Sequence, residues 1–281
     1  KQNSAYDLSA CLVGWVLCIR DRDGTRLSSI LESKGIYPGI KVDKGAHPMD
    51  SSPSEKLTKG LDGLYERCLE YYKQGARFAK WRAVITIGEG IPTDECIQAN
   101  ASALAKYAKA CQDAELVPIV EPEVLMDGDH TIETCYEVSE KTLKTVFKEL
   151  KNEGVYLPGI LLKPNMVISG SECKVQGDMI KVAEMTVKCL TASVPAEVPG
   201  IVFLSGGQSE VEATEHLNAM NKMGDHPWAL SFSYGRALQQ SALKTWNGQK
   251  DNLESTYAVF HHRAEMNSLA CSGEYSSSLE I

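Results

Sequence analysis

The chain has 281 residues, 43% of them hydrophobic, enough to bury one large α/β domain or two of ordinary size. A formal net charge of -8 argues against a nucleic-acid surface, so any anion site has to be a local basic pocket. No run approaches the ~20 apolar residues that span a bilayer, and the apolar patch Cys11–Ile19 lacks a signal peptide's basic leader and small-residue cleavage site, which predicts a cytoplasmic protein without a membrane partner.

In chain order, residues 1–33 give no clear β/α pattern, although Leu12–Ile19 has the make-up of a strand. Six short, near-continuous apolar runs follow, each ending in polar or charged residues: Tyr37–Asp43, Phe78–Arg82, Val117–Glu123, Gly159–Asn165, Gly200–Gly207 and Trp228–Arg236. Such runs are the pattern of buried parallel strands. Between them lie helical periods, with Ile97, Ala101, Leu104, Ala105, Ala108 and Cys111 on one face and Val138, Leu143, Val146, Phe147 and Leu150 on another. Ser209 followed by Glu212 predicts a capping box for the helix that buries Ala213, Leu217 and Met220. The alternation favours a barrel or a doubly wound sheet. Pro48–Gly60 reads as a polar surface loop and 272–281 as a mobile tail, and neither reads as a domain linker, so residues 1–281 are expected to form a single domain.

Nine scattered cysteines with no C-x-x-C pair suit reduced thiols rather than a disulfide framework. His261 and His262 are the one close histidine pair, and adjacent helical residues point about 100° apart, so no protein metal site is expected.

In parallel α/β folds the site forms at the carboxyl ends of the strands. Lys41 and Asp43, Lys80 and Arg82, and Glu121 and Glu123 are each spaced i, i+2, which puts both members of a pair on one strand face. One such pair alone is more often a solvated strand end; three in register, with Lys163 besides, point to a built site. Lys163 closes an apolar run, where an ammonium needs compensation or a lowered pKa. A neutral lysine amine attacks a ketone to give an iminium, an electron sink, and carboxylates at Glu121 and Glu123 are placed to move the protons of that step. The structural alternative is a lysine paired with a carboxylate. Ser205-Gly206-Gly207 and Tyr234-Gly235-Arg236 are glycine turns that feed helices, where backbone N–H groups, helix dipoles and the Arg236 fork suit a phosphate.

The segments GIKVDKG (Gly39–Gly45), FAKWR (Phe78–Arg82), VPIVEPE (Val117–Glu123), LLKPNM (Leu161–Met166), FLSGGQS (Phe203–Ser209) and SYGRAL (Ser233–Leu238) resemble class I, Schiff-base fructose-bisphosphate aldolases, most closely those of animal type. The resemblance implies a (β/α)₈ TIM barrel and reversible cleavage of fructose 1,6-bisphosphate to dihydroxyacetone phosphate and glyceraldehyde 3-phosphate, a step of glycolysis. It implies no metal or organic cofactor, and a homotetramer. By the same resemblance Lys163 is the Schiff-base lysine, Glu121 the acid/base with Glu123 beside it, and Lys80 the ammonium near the reacting carbons. Lys41 and Arg82 match cations on the side of the 6-phosphate, and Ser205, Gly206, Gly235 and Arg236 match the 1-phosphate cradle. The family's first-strand Ala-Ala-Asp-Glu-Ser segment has no match here, and Cys18–Asp23 stands where the second strand carries Phe-His-Glu-Thr-Leu-Tyr. The expectation is therefore a barrel with its first strand missing and its second divergent, without the family's terminal tyrosine. The alternative to an active lyase is a catalytically impaired relative that binds phosphorylated sugars or serves as an oligomer subunit.

Overall fold

A computed structural model describes residues 23–280. The readings made for Cys11–Ile19, Leu12–Ile19 and most of Cys18–Asp23 fall outside the described residues. Six strands alternate with helices along the chain: β1 (Gly39–Lys41), β4 (Phe78–Ile85), β5 (Val117–Val124), β6 (Leu161–Leu162), β7 (Gly200–Phe203) and β8 (Ala229–Phe232). The described residues fall into two compact units, the first comprising 23–85, 92–123 and 144–162 and the second 86–91, 124–143 and 163–280.

In the first unit β1, β4, β5 and β6 are neighbours in that order, and β1 pairs with β4 in parallel, Lys41 opposite Lys80. Strand β4 shows why its charges can share one face: Ala79, Trp81 and Ala83 are buried on one side, while Lys80 and Arg82 alternate to the other. Helix α3 (Asp94–Asp113) covers the apolar side with the face expected from its period, including Ile97, Ala101, Leu104, Ala105, Ala108 and Cys111. Thr93 starts that helix by accepting a hydrogen bond from Cys96 N, and Asp94 and Glu95 complement its N-terminal dipole. From α3, Tyr107 stacks on Trp81 with ring centroids 5.5 Å apart. Its hydroxyl lies 2.7 Å from Ala79 O and 3.1 Å from Ile119 O, so one buried donor ties β4 to β5. Burial pushes the Tyr107 phenol well above its usual pKa.

The stretch Pro48–Gly60, expected to be a plain surface loop, is partly ordered as an antiparallel ladder between β2 (Ala46–Pro48) and β3 (Lys56–Thr58). Glu55, just before β3, is buried and accepts from Thr93 N and Thr93 Oγ1, both at 2.7 Å. The remaining helices wholly in this unit are α1 (Leu27–Ser33) and α2 (Leu64–Lys73). Strand β6 is much shorter than the run Gly159–Asn165, because Leu157–Gly159 forms a turn of 3₁₀ helix before it and Pro164 has no N–H to continue a ladder. Helix α4 (Ile132–Asn152) contributes residues to both units.

In the second unit β7 and β8 run parallel, from Gly200 opposite Ala229 to Phe203 opposite Phe232. Both strands stop sooner than the apolar runs suggested. Gly206 and Gly207 have φ of 54° and 83°, incompatible with extended chain, and Arg236 already belongs to a helix. Helices α5 (Met179–Ser193), α6 (Glu210–Lys222), α7 (Arg236–Trp246) and α8 (Leu253–Cys271) complete this unit. The capping box is present as anticipated: Ser209 Oγ accepts from Glu212 N and the Glu212 carboxylate accepts from Ser209 N. Residues 272–280, read from sequence as a mobile tail, carry anchoring contacts. Tyr275 is buried, its hydroxyl donates to Glu280 at 2.9 Å, and Glu280 also pairs with the buried Arg263 and with His262. No helix among the described residues is long and apolar enough to cross a membrane.

Candidate active site

In the first unit the i, i+2 pairs meet across neighbouring strands. Lys80 Nζ donates to Glu121 Oε2 at 2.5 Å, and Arg82 Nε pairs with Glu123 Oε2 in a short contact. Two cations of β4 thus face two carboxylates of β5. Both carboxylates are almost fully buried, with side-chain exposures of 4% and 10%, where the pairing has to offset a sizeable desolvation cost. Lys41 binds within its own segment, to Asp43 Oδ1 at 2.5 Å. Asp43 is itself fixed by Gly45 N at 3.0 Å on Oδ1 and by Arg82 N at 3.3 Å on Oδ2. It therefore organises two of the expected substrate-side cations, a role not assigned to it from sequence; its i, i+2 relation to Lys41 was the available signal.

Lys163 opens the second unit's third segment and is buried at 8% exposure. The backbone beyond it is held on both sides of the next peptide. Pro164 O accepts from Leu204 N at 3.1 Å, and Asn165 Oδ1 accepts from Val124 N at 3.0 Å while its Nδ2 donates to Ser139 Oγ and Met166 O. Asn165 is a buried latch in the same LLKPNM motif, and sequence reasoning passed over it because its partners lie 26 and 41 residues away.

The two glycine turns also lie in the second unit. After β7, Ser205 is buried and the chain turns through Gly206 and Gly207, both in the left-handed region. A Cβ on Gly207 would sit 2.6 Å from Met126 Sδ, so this backbone lies directly against the methionine. Among the described residues neither glycine N–H donates to a protein group. After β8, Ser233 N donates to Phe203 O at 2.9 Å, tying the start of the second turn to the end of β7. Gly235 then precedes α7 with no side-chain cap among the described residues, leaving the Arg236 and Ala237 N–H groups without a protein acceptor there, and Arg236 is the exposed first residue of that helix. This combination suits an anion. Tyr234 between them is buried, and its hydroxyl donates to Ala213 O at 2.8 Å.

The predicted residues therefore fall into three local clusters: Lys41, Lys80, Arg82, Glu121 and Glu123 in one unit, and Lys163 and the Ser205, Gly206, Gly235 and Arg236 turns in the other. Among the described residues no group of three His, Cys, Asp or Glu side chains is arranged to hold a metal.

Comparison with known proteins meets the same motifs. The profile of the class-I fructose-bisphosphate aldolases matches residues 9–280. A probable class 1 fructose-bisphosphate aldolase of Xanthomonas campestris is 53% identical over 273 residues, covering 97% of this chain and 82% of its own. The fructose-bisphosphate aldolase of Dictyostelium discoideum is 51% identical over 255 residues, 90% of this chain and 71% of its own. Among solved structures, the Plasmodium falciparum fructose-bisphosphate aldolase, in a ternary complex with TRAP and a small-molecule inhibitor, superposes with a TM-score of 0.92 at 52% identity, over 93% of this chain and 76% of that one. A likeness of that closeness gives the fold class as the α/β, TIM-barrel type. With the profile and both relatives spanning nearly all of the strand-end motifs, the chain belongs to the class I fructose-bisphosphate aldolase family.

Proposed function

We propose that this protein is a lyase that reversibly cleaves fructose 1,6-bisphosphate into dihydroxyacetone phosphate and glyceraldehyde 3-phosphate through a Schiff base on Lys163. The observation that carries this reading is a buried lysine at the end of β6, in the motif Leu-Leu-Lys-Pro-Asn, in a chain of this family. The neutral Nζ adds to the C2 carbonyl, giving a carbinolamine that loses water to a protonated imine. Cleavage of the C3–C4 bond then sends its electron pair into the imine to form an enamine, while the C4 hydroxyl proton leaves to a base and the aldehyde departs. Protonation of the enamine at C3 and hydrolysis return the ketone and the free amine. The imine is the electron sink, so the proposed chemistry asks for no metal or organic cofactor.

On this reading Glu121 moves the protons of carbinolamine dehydration, with Glu123 beside it on β5. Lys80, paired with Glu121, supplies positive charge to the oxygens on the reacting carbons. Lys41 and Arg82 bind the 6-phosphate side. Ser205, Gly206, Gly235 and Arg236 bind the 1-phosphate, for which the open N–H groups of the two turns are the support. We further propose a single barrel-type domain over 1–281, a homotetramer, and a glycolytic role in the cytoplasm. The seven cysteines seen without a disulfide among the described residues suit that reducing compartment.

The test is to incubate the protein with dihydroxyacetone phosphate, reduce with borohydride and read the peptide masses, alongside steady-state cleavage of the bisphosphate. A mass increase on the Lys163 peptide is expected, together with loss of turnover on the order of 10⁴-fold or more in Lys163→Arg. A folded protein that turns over but is never labelled at Lys163 would overturn the assignment.

A further inference from the structure

The turn after β7 is held by two side chains that the proposed chemistry does not use. The Ser205 carbonyl accepts twice from Gln208, from its backbone N at 3.0 Å and from its side-chain Nε2 at 2.8 Å. With that oxygen drawn inward beneath the turn, Gly206 and Gly207 are left at φ 54° and 83° with N–H groups that meet no protein acceptor among the described residues. The Gln208 amide is oriented by further contacts: Nε2 also reaches Met166 Sδ at 3.6 Å, and Oε1 lies 2.5 Å from His216 Nδ1. Because Oε1 can only accept, His216 must carry its proton on Nδ1. His216 sits two turns into α6, on the buried face of that helix, where burial lowers the imidazole's pKa against the pull of Glu212. One turn in, Glu212 holds Ser209 through the capping box. The exit of the turn is thus fixed at residues 208 and 209 by two successive turns of one helix.

We infer that Gln208 and His216 are positioning residues for a phosphate subsite: they hold Ser205–Gly207 in the shape that presents the Gly206 and Gly207 N–H groups to a substrate phosphate. This rests on the proposed reading of that turn as the 1-phosphate cradle. A relay of this kind acts on phosphate recognition and leaves the reacting carbonyl untouched. It therefore separates phosphorylated from unphosphorylated ketones.

The experiment compares Gln208→Ala, His216→Phe and His216→Asn with the parent protein in three readouts. These are borohydride trapping at Lys163 with dihydroxyacetone phosphate, the same with dihydroxyacetone, and titration of inorganic phosphate followed by ³¹P NMR. Gln208→Ala and His216→Phe are expected to raise the concentration of dihydroxyacetone phosphate needed for half-maximal trapping, and to weaken inorganic phosphate, about 10-fold or more, the size of a lost charge-assisted hydrogen bond. Trapping of dihydroxyacetone should stay within about twofold of the parent, since it presents no phosphate. His216→Asn, whose amide N–H falls near the position of Nδ1, should restore most of the loss. Equal losses for both ketones, or no change in phosphate binding, would overturn the proposal, as would an Asn variant no better than Phe. If the parent binds inorganic phosphate but traps neither ketone at Lys163, the Schiff-base reading fails. The turn is then judged by the phosphate titration alone, where unchanged binding in Gln208→Ala overturns its positioning by Gln208.

Discussion

The ends of β4 and β5 and the turns after β7 and β8 handle charge in opposite ways. On the strands, full charges are present and already matched: Lys80 with Glu121 and Arg82 with Glu123. In the turns most of the polarity is backbone, and among the described residues the N–H groups of Gly206, Gly207, Arg236 and Ala237 are left open. The first region needs particular ionisable side chains and is sensitive to their charge. The second needs a particular backbone path and is sensitive to conformation. A paired ion has to exchange partners when an anion arrives, whereas an open amide accepts one without first breaking a contact.

The sharpest way to test the contrast is Glu121→Gln, which keeps shape and removes charge. It is expected to lower kcat by about 10²–10⁴-fold, the scale of a lost proton-transfer group, with single-turnover trapping at Lys163 slowed in parallel. An unchanged kcat would mean that the Lys80–Glu121 pair is structural. Arg82→Ala should raise KM for the bisphosphate by about 10-fold or more, with the smaller effect on kcat, as expected when a cation binds substrate and transition state alike.

For the turns the informative change is Gly207→Ala. Its φ of 83° and the 2.6 Å approach of Met126 Sδ predict a loss of about 1–3 kcal/mol in thermal or denaturant unfolding, together with a raised KM. Gly235→Ala is its control, because that residue has φ −93° and nothing within 4 Å of an added Cβ, so stability should change by less than about 1 kcal/mol. The smallest effect belongs to the cap. Ser209→Ala should cost about 1 kcal/mol. The Ser209 backbone N–H, and then its hydroxyl, hold the Glu212 carboxyl below its ordinary pKa of 4.5. A depressed carboxylate contributes stability above its unfolded value and loses it as pH falls through the lowered one. The part of the gap between parent and Ser209→Ala that comes from the hydroxyl's effect on the Glu212 carboxylate is therefore expected to be full above about pH 4.5 and to fade as pH falls through the lowered value, while the part that comes from the bond between Glu212 N and Ser209 Oγ persists.

Much of this was legible in the sequence because it depends on local pattern. The alternation that puts Lys80 and Arg82 on one face and Trp81 on the other is visible in five letters, and so is the Ser209–Glu212 box. What stayed hidden depends on chain meeting chain. The β2–β3 ladder has only three residues a side in a polar stretch, too short for a period of two to register. The end of β6 was misjudged because an apolar run does not reveal which residue lacks a ladder partner. Asn165 works through partners 26 and 41 residues away, and the link from Gln208 to His216, eight residues on, runs to a helix face that otherwise buries Ala213, Leu217 and Met220 and carries no polar pattern to mark it.

Tyr107 has a consequence beyond packing. Its single hydroxyl touches Ala79 O and Ile119 O, the residue before Lys80 on β4 and the second before Glu121 on β5. Slipping one strand past the other by one residue would turn every side chain to the wrong side; slipping by two would keep the sides but match Lys80 with the wrong carboxylate or with none. The phenol bridges Ala79 O and Ile119 O in the alignment that pairs Lys80 with Glu121. It acts as a clamp on that alignment, a neutral group on the dry side that holds in place the charges that meet on the wet one. Tyr107→Phe keeps the ring and the Trp81 stack and removes only the clamp.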